Sequence, residues 1–86
     1  MKSRRLYNRI GVLRRERGVS RKELAEAIGV NFQTVGYLER GEYNPSLDLA
    51  FRISEFFGLP VDLVFSTGPM KPLSQEILEY REKRGE

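Results

Sequence analysis

Residues 20 to 41, from Ser20 to Gly41, read SRKELAEAIGVNFQTVGYLERG, and this stretch decides the fold. Ser20 stands where a helix needs a cap, since its hydroxyl can accept a hydrogen bond from a free backbone N–H of the first turn. Glu23, three residues on, completes a capping box. Leu24, Ala25 and Ile28 then fall on one apolar face. Gly29 ends the helix, at a position that needs positive φ and no Cβ. Asn31 caps a second helix, with Val35 and Leu38 pointing inward. Two helices crossing steeply through so short a turn come close, and Ala25 supplies the small residue at the crossing. The pattern is a helix-turn-helix.

Outward from this unit, Gly18, Gly29, Gly41 and Gly58 each follow a segment of helical period, as C-terminal caps should. A first helix is expected from about Leu6 to Arg17, with Leu6, Ile10 and Leu13 inward. A fourth opens at Asn44-Pro45-Ser46: either Asn44 caps it and Pro45 takes the first helical position, or Ser46 caps it. Its inward stripe is Leu49, Ala50, Ile53, Phe56 and Phe57. A short fifth helix from Pro60 to Phe65 closes the core with Val61, Val64 and Phe65. No segment alternates apolar and polar long enough to be a strand. Ser66 to Pro72 is rich in turn formers. Beyond it Leu73, Ile77 and Tyr80 share one face of a possible sixth helix, with residues 81–86 expected to fray. The expected fold is all-α: a compact five-helix domain over residues 1–66, then a linker and C-terminal helical tail over 67–86.

The chain has 86 residues and contains neither cysteine nor histidine. Disulfides, zinc fingers and thiol nucleophiles are excluded, and the commonest general base is missing. Carboxylates and lysines are scattered without a convergent pair. No catalytic residue, no metal ligand and no cofactor is expected, so the chain does not read as an enzyme. No apolar run reaches membrane-spanning length and no signal peptide is visible, so a cytoplasmic location is expected. The net charge of +3 is unevenly placed. Residues 1–17 hold seven basic residues (Lys2, Arg4, Arg5, Arg9, Arg14, Arg15, Arg17) against Glu16, whereas residues 42–62 carry −3. A basic arm beside a helix-turn-helix suggests a polyanionic partner.

The residues resemble the lambda-repressor-like helix-turn-helix proteins of the Cro/Xre family. The resemblance spans about Arg9 to Phe65. It rests on Leu24-Ala25 through Gly29-Val30, on Val35, and on Leu38-Glu39-Arg40-Gly41, with further support from Asn44 to Ile53 and from Gly58 to Phe65. The family implies five helices, the third lying in the major groove of DNA. It also implies a buried ion pair between the first helix and the end of the third, by position Arg14 with Glu39, against the alternative of two solvated charges. Ala25 and Gly29 are then structural. Two positions depart from the family. Arg21 stands where many members carry a Gln that contacts phosphate and braces the third helix, and Pro60 replaces a polar cap.

The major groove admits an α-helix and displays a distinct edge for every base pair. Base contacts are expected from Phe32, Gln33, Thr34, Gly36 and Tyr37. Gln33 leads, because its amide can pair with adenine through two hydrogen bonds. Phe32 either packs on thymine methyl groups or closes the corner between the second and third helices. Gly36 either lets the backbone sit close to DNA or is simply tolerated. Phosphate contacts are expected from Arg21, Asn31, Arg40, Tyr43 and Asn44, with Arg4, Arg5 and Arg9 contributing from the arm. The expected partner is double-stranded DNA with a palindromic operator, bound by a homodimer formed through the fourth and fifth helices or the sixth. No small-molecule effector domain is evident. The expected function is a sequence-specific transcriptional regulator acting as a repressor. The alternatives are an antitoxin of a toxin–antitoxin pair and a protein-binding module on the same fold.

Overall fold

The computed structural model describes residues 5–83 and residue 85. In chain order it contains β1 (Tyr7–Asn8), α1 (Ile10–Glu16), α2 (Arg21–Ile28), α3 (Phe32–Glu39), α4 (Leu47–Phe57), α5 (Val61–Val64), β2 (Phe65–Ser66) and α6 (Leu73–Lys83). The fold is thus mostly helical, with a small two-stranded sheet.

The caps explain the helix boundaries. The Ser20 hydroxyl accepts the Glu23 N–H at 3.0 Å, and the Glu23 carboxylate accepts the Ser20 N–H at 3.0 Å, so the capping box is formed. Asn31 accepts the Thr34 N–H at 2.9 Å and caps α3. Of the two readings at the fourth helix, Ser46 is the cap, accepting from the Leu49 N–H at 3.1 Å. The four expected C-terminal glycines all sit at positive φ. At Gly29 (φ 78) the following Val30 N–H reaches back to the Ala25 carbonyl at 3.0 Å, which aims α3 across α2.

These helices bury one core: Ile10, Leu13, Leu24, Ala25, Ile28, Val35, Leu38, Leu49, Ile53, Phe57 and Val64. Phe56 is half-buried, edge-on to Phe57 with ring centroids 5.1 Å apart. Ser54 also lies in the buried face of α4, and its hydroxyl has no hydrogen-bond partner among the described residues.

The ends of the domain differ from the sequence reading. The first helix begins at Ile10, four residues late, because Tyr7 and Asn8 pair antiparallel with Ser66 and Phe65. Leu6 is half-buried ahead of that pairing and not on a helix face. Two residues per strand are too few to show alternation, so the pairing left no trace in the pattern. The fifth helix is shorter than expected: Pro60 is its cap, and Phe65 has left it for β2. Leu63 and Val64 are its buried residues, while Val61 is half-buried. The sixth helix is present, and Arg81–Lys83 belong to it where fraying was expected. It lies against the body: Leu73 packs on the core, and α6 touches α5.

Candidate nucleic-acid interface

The helix-turn-helix presents α3 with Val35 and Leu38 buried beneath it. Phe32, Gln33 and Tyr37 are exposed, and Thr34 is half-buried. Phe32 and Tyr37 each leave half or more of their surface in solvent, an unusual state for aromatic side chains. Gly36 departs from expectation. It is buried, because the Arg40 side chain folds back over it: a Cβ at residue 36 would stand 3.1 Å from Arg40 Nη1. Its backbone therefore has a protein cover in place of an open face. Asn31 sits exposed at the mouth of α3, where its side-chain oxygen also accepts the Thr34 hydroxyl at 3.0 Å. Tyr43 is exposed beside it, and the two share a cleft with Thr34, Tyr37 and Glu42. Asn44 is exposed nearby.

The position of α3 is held by charge as well as by packing. Arg14 Nε lies 2.7 Å from Glu39 Oε2, and Arg21 Nη2 lies 3.1 Å from Glu39 Oε1. The Glu39 side chain is 7% exposed, Arg14 13% and Arg21 44%. The ion pair implied by the resemblance is formed and largely buried. It has a third member that was not expected: Arg21, at the start of α2, braces α3 through the Glu39 carboxylate. Burial pushes the Glu39 carboxyl up, but the hydrogen bonds and charges of Arg14 and Arg21 outweigh it and hold it below the usual carboxylate range. Arg14 also donates to the Val19 carbonyl at 3.1 Å, tying in the turn before α2.

The basic arm divides. Arg4 lies outside the described residues. Arg5 is exposed and runs past the end of α3, with Nε 3.3 Å from where a Cβ on Gly41 would stand. Arg9 was expected at phosphate, but it is 5% exposed. Its guanidinium donates to the Leu63 carbonyl at 2.6 Å and to the Lys71 carbonyl, and Nη2 meets Glu76 at 3.0 Å. A buried charge persists where hydrogen bonds and a counter-charge meet it. Arg9 is a structural clamp between α1, α5 and α6.

Three residues near α3 escaped the sequence reading. Asn8 donates from its amide to the Leu38 carbonyl at 2.8 Å and accepts the Ile10 N–H at 3.0 Å, so it closes the end of α3 and the start of α1 together. Glu42 pairs with Arg40, with Nε to Oε2 at 2.9 Å. Arg15 shares a cleft with Arg21, Glu39 and Arg40. Asn8 reaches Leu38 through a contact that no local spacing encodes, whereas Glu42 meets Arg40 only two residues away, across the turn at Gly41.

Comparison with known proteins agrees with this geometry. A helix-turn-helix family model matches residues 10–64. An HTH-type transcriptional regulator of Methanocaldococcus jannaschii, itself uncharacterized, is 38% identical over 60 residues, which is 70% of this chain and 91% of that protein. Among solved structures, a transcriptional regulator from Listeria innocua superposes with a TM-score of 0.62 at 25% identity, over 84% of this chain and 71% of that one. The clp gene regulator of Corynebacterium glutamicum superposes with a TM-score of 0.57 at 33% identity, over 60% of this chain and 55% of that one. No helix among the described residues is long and apolar enough to cross a membrane. The chain belongs to the Cro/C1-type helix-turn-helix family of DNA-binding transcriptional regulators.

Proposed function

We propose that this protein recognises a specific duplex sequence with α3 in the major groove and represses transcription by occupying its operator. One observation carries the reading: Phe32, Gln33 and Tyr37 stand exposed together on a helix that the Arg14–Glu39–Arg21 cluster holds in place. Exposed aromatic and amide side chains on a rigid helix suit base edges, with Gln33 opposite adenine and Phe32 against thymine methyl groups. Thr34 lies at the rim of this face. Arg21, Asn31, Tyr43 and Asn44 surround it with groups suited to phosphate, which set register and affinity without reading sequence. A helix of this length spans few base pairs, so a homodimer on a palindrome with half-sites about 34 Å apart fits the geometry. Leu47 and Phe51, exposed one turn apart on α4, are candidates for the contact between copies.

The test is selection from a random duplex library with purified protein, followed by binding at two salt concentrations. A palindrome with half-sites about one turn apart supports the reading. Weak, steeply salt-dependent binding with no enriched sequence overturns it and leaves non-specific attraction alone.

A further inference from the structure

Arg40, the C-terminal cap of α3, continues the stripe of the exposed reading residues. Gln33, Gly36, Tyr37 and Arg40 recur at i, i+3, i+4 and i+7, the spacing that shares one helix face. Helical side chains lean toward the N-terminus, so a long residue at position 40 covers the turn beneath it. Arg40 does this: its Cζ stands 5.2 Å from the centre of the Tyr37 ring, and Nη1 lies over Gly36. Any side chain at residue 36 would crowd that guanidinium, with a Cβ at 3.1 Å. A third contact comes from the turn after α3. Gly41 (φ 73) lets the Glu42 N–H return to the Tyr37 carbonyl at 2.9 Å and the Gly41 N–H to Leu38 at 3.1 Å. The reversal brings the Glu42 carboxylate to Arg40 Nε at 2.9 Å.

We propose that Arg40 is a base-reading arginine, held across α3 by Tyr37 and Glu42, and that its target is a guanine in the operator. The inference rests on the DNA-binding reading above and moves Arg40 from phosphate to base. The ring packs against the guanidinium and the carboxylate takes Nε. That leaves Nη1 and Nη2, which lie over Gly36, as the pair of donors that matches the acceptors O6 and N7 of guanine. A guanidinium already ordered in the free protein loses less freedom when it binds. Glu42 is therefore a positioning residue, and Gly36 leaves the room that the arrangement needs.

Duplex selection with the full chain tests this, comparing wild type with Arg40→Lys and Glu42→Ala. Lysine keeps the charge and the reach to a phosphate but loses the two-pronged fork. The expected result is a wild-type site containing a fixed guanine whose preference falls about five- to hundredfold in Arg40→Lys, with the other positions retained. Glu42→Ala should relax that same position by a smaller factor. The proposal is overturned if Arg40→Lys keeps every preference, or if Glu42→Ala tightens binding to all sequences alike, as the loss of an acid beside a phosphate-binding cation would do. A wild type that selects no sequence is a distinct failure: it overturns the DNA reading itself and this assignment with it.

Discussion

At the scale of single residues, the two ends of α3 do different work. Gln33 is exposed and carries no part of the core, so Gln33→Ala should leave the melting temperature unchanged. Its effect belongs to DNA: about 1–3 kcal/mol of discrimination lost at one base position, read by competition between the operator and single-base variants. Glu39 sits at the other end with two cations. Removing one partner of a buried pair costs about 3–5 kcal/mol when the remaining charge is left alone. Here Arg21 still faces Glu39 at 3.1 Å after Arg14 is removed, so Arg14→Ala should cost about 2–3 kcal/mol, near the bottom of that range or below it. For a domain of this size that is a fall of about 10 °C or more in Tm. Arg21→Ala, which removes a partner that is 44% exposed, should cost under about 1 kcal/mol. Equal losses from the two variants would contradict the unequal burial of the two cations.

At the scale of elements, α3 trades stability for its shape. A glycine inside a helix costs roughly 1 kcal/mol against alanine. Gly36 has helical φ, and the group that its Cβ would crowd is the far end of a flexible side chain. Gly36→Ala should therefore stabilise the domain by about 0.5–1 kcal/mol in denaturant unfolding while weakening operator binding. A variant that is more stable and binds equally well would show that glycine is merely tolerated here. The neighbouring elements show what local pattern can reveal. The capping box of α2, the Asn31 cap and the four terminal glycines were all legible, because each depends on residues within about five positions of one another. The start of α1 was not. Its boundary depends on Asn8 and on pairing with Phe65, more than fifty residues away. The role of Arg9 was hidden for the same reason. A basic residue in a basic arm reads as solvated, and its partners Leu63, Lys71 and Glu76 come from the far end of the chain.

At the scale of the whole molecule, that clamp ties the C-terminal helix to α5 and to the start of α1. A chain ended at Gly68 removes Lys71 and Glu76 and leaves the Arg9 charge partly unmatched. Its Tm should fall measurably, and Arg9→Met in the shortened chain should cost less than in the full one. Sedimentation of the same truncated protein bears on assembly: a shortened chain that still forms dimers places the contact outside α6. The electrostatics also set a pH profile. Glu39, Glu76, Glu23 and Glu79 are all held below the ordinary carboxylate value of 4.5. A hydrogen bond from Arg9 is the main cause at Glu76, and one from Lys71 at Glu79. A carboxyl with a depressed folded pKa contributes stability that is complete above its unfolded value. That contribution is lost as pH falls through the folded value. With no histidine in the chain, Tm should be flat between about pH 5.5 and 7.5 and should decline below about 4.5. Glu39→Gln should lower the plateau and flatten the acid limb. A transition centred near pH 6.5 would contradict this assignment.

The sequence by itself determined the helical fold, the helix-turn-helix at residues 20–41, the caps that bound it and the residues beneath it. These features follow from helical period and from conformational demands met within a few residues. Tertiary structure decided which charges face solvent and which are buried. It sent Arg9 inward, joined Arg21 to the Arg14–Glu39 pair, covered Gly36 with Arg40 and paired Tyr7–Asn8 with Phe65–Ser66 in β1 and β2. An arginine's role is set by the carbonyls and carboxylates that the fold brings within about 3 Å, and sequence spacing does not encode those distances.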